Sequence, residues 1–321
     1  MRIGYTLMTE QAGPKELVSY AASAEGAGFD FEVMSDHYSP WLAEQGHSPY
    51  AWSVLGAVTQ NTALAELMTF VTCPTMRYHP AVVAQKAATV QILSGGRFTL
   101  GLGSGENLNE HVVGRGWPSA KVRQEMLAEA VQIIAGLFDG GHFNYEGRHF
   151  RVDSAKLWDL PEVRTPIAVA VSGAQSVTRF APVADAMVAV QPKAALCKKW
   201  DELRVDRPTR KIAQMPISWG TDRDAAVRRA HEQFRWFGGG WKVNAELPGP
   251  SGFAGATQFV RPEDVAGAIP CGPEVEPIVQ GAREFAQAGF TDLALVQIGG
   301  DQQHDFLNFA EKELLPALQE S

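Results

Sequence analysis

The feature that most limits what this chain can become is a rhythm: a short apolar or β-branched run followed by a longer amphipathic segment, eight times over. The two kinds of segment separate by period, since strands alternate faces at every residue and helices return to one face every three or four. The first pair is "RIGYTLM" and "GPKELVSYAASAEGAGF", with Pro14 where a first helical turn tolerates proline and Gly28 where the helix stops. The next five are "FDFEVMSD" with "YAWSVLGAVTQNT", "ELMTFVTC" with "PAVVAQKAATVQIL", "RFTLGLGSG" with "VRQEMLAEAVQIIAGLF", "PIAVAVS" with "AQSVTRFAPVA", and "DAMVAVQ" with "AALCKKWDELR". "KIAQMPISWG" with "DRDAAVRRAHEQFRWF" and "DLALVQIG" with "DQQHDFLNFAEKELLPAL" complete the set. Eight units in 321 residues predict parallel strands joined by right-handed crossovers that close into a (β/α)8 TIM barrel, with an open doubly wound sheet as the alternative. One domain over residues 1–321 is expected. Two stretches break the rhythm and read as insertions. "HFNYEGRHFRVD" is a hairpin around Glu146 and Gly147, and "GGGWKVNAELPGPSGFAG" is a glycine- and proline-rich lid or substrate-specificity loop.

Composition narrows the partners. The net charge of −8 and the lack of a long Lys/Arg block leave no basic footprint for a nucleic acid or an anionic membrane surface. Cys73, Cys197 and Cys271 are far apart and form no CxxC pair, which predicts neither a disulfide framework nor a metal site, and a reducing compartment. No basic-then-apolar leader and no run of bilayer length is present, so a cytoplasmic protein with a small-molecule substrate is expected.

A barrel of this kind does its chemistry at the carboxyl ends of its strands, and two of those ends are unusually polar. The second carries Asp36 and His37, with Trp41 four residues on. Adjacent residues on a strand point to opposite sides, so one of the pair can face the cavity while its neighbour faces the wall. An imidazole there can take a proton from a substrate hydroxyl, an indole can wall a pocket, and Asp36 can orient a ring or a cofactor group. The plainer reading makes Asp36 a turn cap and His37 a solvated loop residue. The fourth end, "GLGSG", carries Glu106 after a glycine run where a flat ligand could lie against bare backbone. Glu106 is a candidate acid opposite His37, or a helix-start carboxylate favoured by the macrodipole. Ser172, Gly173 and the helix start at Ala174 form a candidate phosphate cradle or an ordinary N-cap, and Lys193 a candidate anion partner or a solvated lysine. Arg77 and His79 read as rim residues.

The strings "GYTLMTEQAGPKELV", "SDHYSPWLAEQGHSP", "TCPTMRYHPAVVAQ", "RFTLGLGSGENLNEHVVG" and "VRPEDVAGAIPCGP" together resemble the luciferase-like superfamily, and within it the coenzyme F420-dependent glucose-6-phosphate dehydrogenase group. The resemblance runs nearly end to end. It implies a barrel, a homodimer and the deazaflavin F420 as cofactor, with an FMN-dependent monooxygenase as the alternative. It also implies roles. His37 becomes the base on the substrate hydroxyl, Glu106 the proton donor or stabiliser at the reduced ring, and Trp41 the indole beside the reacting centre. Asp36 would contact the cofactor, Asn109 would hold its ring system, and Ser172, Gly173 and Ala174 would line its phosphate-bearing side chain. Val71 would sit at the strand-three bulge, where relatives carry a non-proline cis peptide, here between Phe70 and Val71. Glu10 matches a pocket carboxylate on the substrate side. Lys193 matches one basic residue of the sugar-phosphate site, but "EDVAGAIPCGPE" has no lysine where that group places a second.

Overall fold

A computed structural model describes residues 1–204 and 209–320. Its strands are β1 (Arg2–Leu7), β2 (Phe31–Met34), β3 (Glu66–Thr69), β4 (Phe98–Leu102), β5 (Phe143–Glu146), β6 (Arg151–Ala155), β7 (Ile167–Ala170), β8 (Ala186–Ala189), β9 (Arg210–Trp219), β10 (Cys271–Gly272) and β11 (Asp292–Gln297). The parallel order β1-β2-β3-β4-β7-β8-β9-β11 returns to β1 through the register Arg2 with Asp292 to Tyr5 with Leu295, so the sheet closes. This is the expected (β/α)8 TIM barrel, not the open sheet. The antiparallel hairpin β5–β6 falls where expected, its turn held by Glu129, whose carboxylate accepts from the amides of Arg148, His149 and Phe150 at 2.9, 3.0 and 3.1 Å.

Two local expectations change. The third strand was read as running to Cys73, but regular pairing stops at Thr69, the Phe70–Val71 peptide is cis, and Thr72 rejoins through a single bridge to Leu102. The two-residue strand β10, which pairs with Ser218 and Trp219 of β9, was not foreseen, because its flanking prolines and glycines read as a turn.

The amino end of the barrel is plugged. Phe31 turns inward and lies over Gly4, where a Cβ would come within 2.5 Å of the ring. The guanidinium groups of Arg2 and Arg210 sit 5.6 and 5.7 Å from the Phe31 centroid and pair with Glu66 and Asp292 at 2.6–3.5 Å. Above this plug Val33, Met68, Ala168, Val188, Ile212 and Ala294 fill the axis, so a ligand must enter from the carboxyl end.

The carboxyl end has an apolar roof. The lid expected from the glycine-rich insertion is folded: a 3-10 turn at Arg235–Gly239, then short helices at Trp241–Asn244 and Pro250–Ala256. Trp236, just before the insertion, and Phe253, within it, pack with Met8, Trp41, Leu42, Leu108 and Ile298 in a cluster separate from the main core.

Glu32 alternates with Phe31 and Val33 and so points outward into the layer between barrel and helices. It is 1% exposed and neither carboxyl oxygen has a hydrogen-bond partner among the described residues. Burial, reinforced by Glu25 and opposed by Arg97, pushes its pKa well above the usual carboxylate range. A raised folded-state pKa means that stability is greatest below the unfolded pKa and falls as pH rises, because only the unfolded chain can then ionise the group freely. Glu32→Met is therefore expected to stabilise the protein at neutral pH by about 1–3 kcal/mol, the scale for an unpaired buried polar group. Denaturant melts should show that gain shrinking towards pH 4; a variant less stable than the parent at pH 7 would contradict it.

Candidate active site

The site begins with a histidine whose two nitrogens are in different situations. His37 follows β2, and its Nδ1 lies 3.1 Å from Glu10 Oε1 and 3.3 Å from the carbonyl oxygen of Ser39. Both neighbours are acceptors, so Nδ1 carries the hydrogen and Nε2 keeps the lone pair. Glu10 stands in the turn after β1 and is 1% exposed; its second oxygen accepts from Ser35 Oγ at 2.5 Å and Thr9 Oγ1 at 3.1 Å. The expected substrate carboxylate is thus placed behind the imidazole, where it sets ring orientation.

Trp41 packs beside this pair, its ring 5.0 Å from that of His37. It stacks on Trp236 at 4.1 Å and 9° and meets the edge of Phe253 at 5.1 Å and 88°. Gln45 pins the backbone here by accepting from the Trp41 and Leu42 amides at 2.8 and 3.3 Å.

Asn109 and Glu106 come from the loop and short helix after β4. Asn109 Oδ1 accepts from the amides of Tyr38 and Ser39 at 2.9 and 3.3 Å, while its Nδ2 donates to Glu106 Oε2 at 3.3 Å. One amide side chain therefore joins the histidine loop to the carboxyl group. Glu106 is half-buried and stands at the N-cap position of the helix without a side-chain capping bond; its Oε1 has no partner among the described residues.

Beneath both loops lies a buried ion network. Asp36 Oδ2 accepts from Trp52 Nε1 at 3.1 Å and Thr72 Oγ1 at 2.8 Å, and Oδ1 from Tyr78 at 3.2 Å, with Arg77 Nη2 at 3.5 Å. The carboxylate expected to contact a cofactor is held by these protein donors. Arg77 also donates from Nη2 to the Asp36 carbonyl at 2.8 Å, and from Nε and its backbone amide to Glu110 at 2.9 and 2.7 Å. Its side chain is 7% exposed, so it is not a rim residue. Burial raises the Glu110 pKa, and Arg77 opposes the rise. Burial also raises Tyr78, with Asp36 adding to it. His79 caps the helix Pro80–Leu93 through the Ala81 amide at 3.2 Å, which makes it structural.

The glycine run is not the open shelf expected of it. A Cβ on Gly101 would lie 1.9 Å from the Thr69 carbonyl oxygen, one on Gly103 would lie 2.5 Å from Val71 Cγ2, and one on Gly105, at φ +79°, 2.5 Å from Cys73 Sγ. These glycines let the chain around the Phe70–Val71 peptide pack against β4. Val71 stays half-exposed.

Farther out, Ser172 and Ala174 are exposed and Gly173 half-buried. The Ser172 and Gly173 amides both donate to Ser176 Oγ, at 3.2 and 3.3 Å, so the expected cradle already spends its amides on that hydroxyl. Among the described residues, no atom would meet a Cβ on Gly173 within 4 Å. Lys193 is exposed at the start of the helix Ala194–Glu202. Sequence reading missed Ser35, Phe253 and the Arg77–Glu110 pair. The only signal for Arg77 was an arginine in an otherwise compact loop.

The family model described as luciferase-like monooxygenase matches residues 1–292. The chain belongs to that family. Within it, an F420-dependent glucose-6-phosphate dehydrogenase of Nakamurella multipartita is 33% identical, over 99% of this chain and 96% of its own length. An F420-dependent hydroxymycolic acid dehydrogenase of Mycobacterium tuberculosis is 41% identical over 58% of this chain and 52% of its own. Among solved luciferase-like barrels, an F420-dependent secondary alcohol dehydrogenase in complex with an F420-acetone adduct superposes with a TM-score of 0.89 at 26% identity, covering 99% of this chain and 98% of that one.

Proposed function

We propose that this luciferase-like protein is a coenzyme F420-dependent oxidoreductase that transfers hydride between an alcohol or hemiacetal carbon and the deazaflavin. The observation that carries this is His37, with Nδ1 pinned by Glu10 and Ser39 and Nε2 left over beside Trp41. Full-length relatives named as F420-dependent dehydrogenases support the cofactor over FMN.

The residues present fit that group. That chemistry calls for an acid and a base, and Glu106 Oε1 and His37 Nε2 would supply them, neither with a protein partner among the described residues. Val71, Asn109 and Glu106 would hold the ring, and Ser172, Gly173 and Ala174 its side chain, with Asp36 fixing the loop beneath. When bound, the deazaflavin supplies a carbon that accepts hydride as an electron pair and reacts poorly with oxygen. His37 Nε2 takes the hydroxyl proton as hydride leaves the same carbon, and Glu10 stabilises the imidazolium so formed. With the group bound, Glu106 would deliver or stabilise its proton, and the roof of Trp41, Trp236 and Phe253 excludes water so that these charges interact strongly. The resemblance further supports one barrel domain acting as a cytoplasmic homodimer, which light scattering would test for subunit number.

Titrating the purified protein with F420 and, separately, with FMN should show saturable fluorescence change with F420 only, and turnover of alcohols indifferent to oxygen. Tight FMN uptake with no response to F420 would reject this reading.

A further inference from the structure

We infer that the substrate is an uncharged alcohol with apolar substituents, not a phosphate ester. This rests on the proposed F420-dependent activity and names the substrate class of that site.

Charge is the first ground. The groups gathered at and beneath the site are Glu10, Asp36, Glu106 and Glu110, and the only cation among them, Arg77, is committed to Asp36 and Glu110. Arginines around the roof are engaged as well. Arg235 is held by Glu44 at 2.9 Å and the Glu232 carbonyl at 2.6 Å. Arg123 donates to Glu246 at 2.7 Å and lies 4.3 Å from the centroid of Trp117. Arg229 donates to the Trp219 carbonyl at 2.6 Å. That leaves Lys193 at the rim, Lys242 on the roof insertion and Arg115 on the loop after Glu110, all exposed on the outer surface, whereas a phosphate dianion buried near carboxylates needs several donors fixed inside the site.

The second ground is the wall. Trp41 is covered by the stacked Trp236 and the perpendicular ring of Phe253, and the cluster continues through Met8, Leu42, Leu108 and Ile298. The polar edge of Trp236 is spent, since its Nε1 donates to the Gln233 carbonyl at 3.1 Å. Gln45 Nε2, on the loop that carries Trp41, is a buried donor without a partner among the described residues; one such donor leaves most hydroxyls of a sugar ring unmatched, whereas an alkyl or cycloalkyl arm gains from burial. The carbinol hydroxyl meets His37 Nε2, and the arms lie against the indole wall. On oxidation the carbinol C–H pair passes to the deazaflavin as hydride, the hydroxyl proton passes to His37, and a ketone leaves.

The test uses the full-length protein with F420, whose binding is first established by titration. Initial rates of F420 reduction are compared for 2-octanol, cyclohexanol, glucose and glucose 6-phosphate. An apolar alcohol is expected to exceed glucose 6-phosphate in kcat/KM by at least about a hundredfold, the cost of bringing like charges together. Cyclohexanone should change the tryptophan fluorescence of the F420 complex, and inorganic phosphate should neither change it nor inhibit. Trp236→Ala, and the milder Phe253→Leu should the first not fold, are expected to lower kcat/KM for the apolar alcohols by about 10–100-fold while F420 affinity holds. Turnover of glucose 6-phosphate at or above the alcohol rate, with phosphate competing, overturns the inference and leaves the cofactor assignment standing. So does F420 binding with no alcohol oxidised and no response to the ketone. Failure to bind F420 overturns the underlying activity, and the inference with it.

Discussion

His37→Ala is expected to lower turnover by at least about a hundredfold, the scale for losing a positioned proton acceptor, with F420 affinity unchanged. The geometry gives the reason. Glu10 and the Ser39 carbonyl hold Nδ1 in the donor state, so Nε2 is the one ring atom able to receive the hydroxyl proton. Glu106→Gln should cost a similar factor by removing the carboxyl proton while keeping the Asn109 contact. Steady-state kcat with F420 saturating would check both variants. Near-normal rates in both would remove these residues from the chemistry.

Arg77→Met should destabilise the fold by about 3–5 kcal/mol at neutral pH, the cost of leaving buried charge without its partner. Arg77 is bonded to Asp36 on one loop and Glu110 on another, so its loss leaves two buried carboxyl groups without their shared cation. The direction with pH follows from Glu110, whose pKa burial already raises even with Arg77 present. Without the arginine it rises further. A group with a raised folded-state pKa keeps its stability below the unfolded value and loses it as pH climbs, so the deficit should be largest at alkaline pH and smallest near pH 4. Urea unfolding across that range would measure it, and Arg77→Met with Glu110→Gln should recover part of the loss. A deficit that does not change with pH would show that the side chain's packing, not its charge, matters there.

The barrel was legible because periodicity is a local property: each strand and each helix declares itself within about ten residues, and closure follows from number and handedness. Candidate site residues at strand ends were legible for a similar reason, since fold topology alone places His37, Trp41 and Glu106 at one rim, while Asn109 came only from the family resemblance. What escaped were choices made between distant segments. Nothing near Arg77 announces that Glu110, 33 positions on, will take its charge. The glycines of β4 could be seen to be bare, but whether ligand or protein fills the space depends on how β3 ends. The amides of Ser172 and Gly173 looked available because Ser176, the hydroxyl that takes them, reads as an ordinary helical serine. Strand β10 was hidden by its own prolines and glycines.

Asn109 has a consequence for anyone redesigning this protein. Because a single carboxamide grips Tyr38 and Ser39 with its oxygen and Glu106 with its nitrogen, the proton acceptor and the acid move as one rigid unit. Lengthening either loop to admit a bulkier molecule would displace both reactive groups together, so pocket volume is better gained in the insertion overhead than in the segments that carry the catalysis.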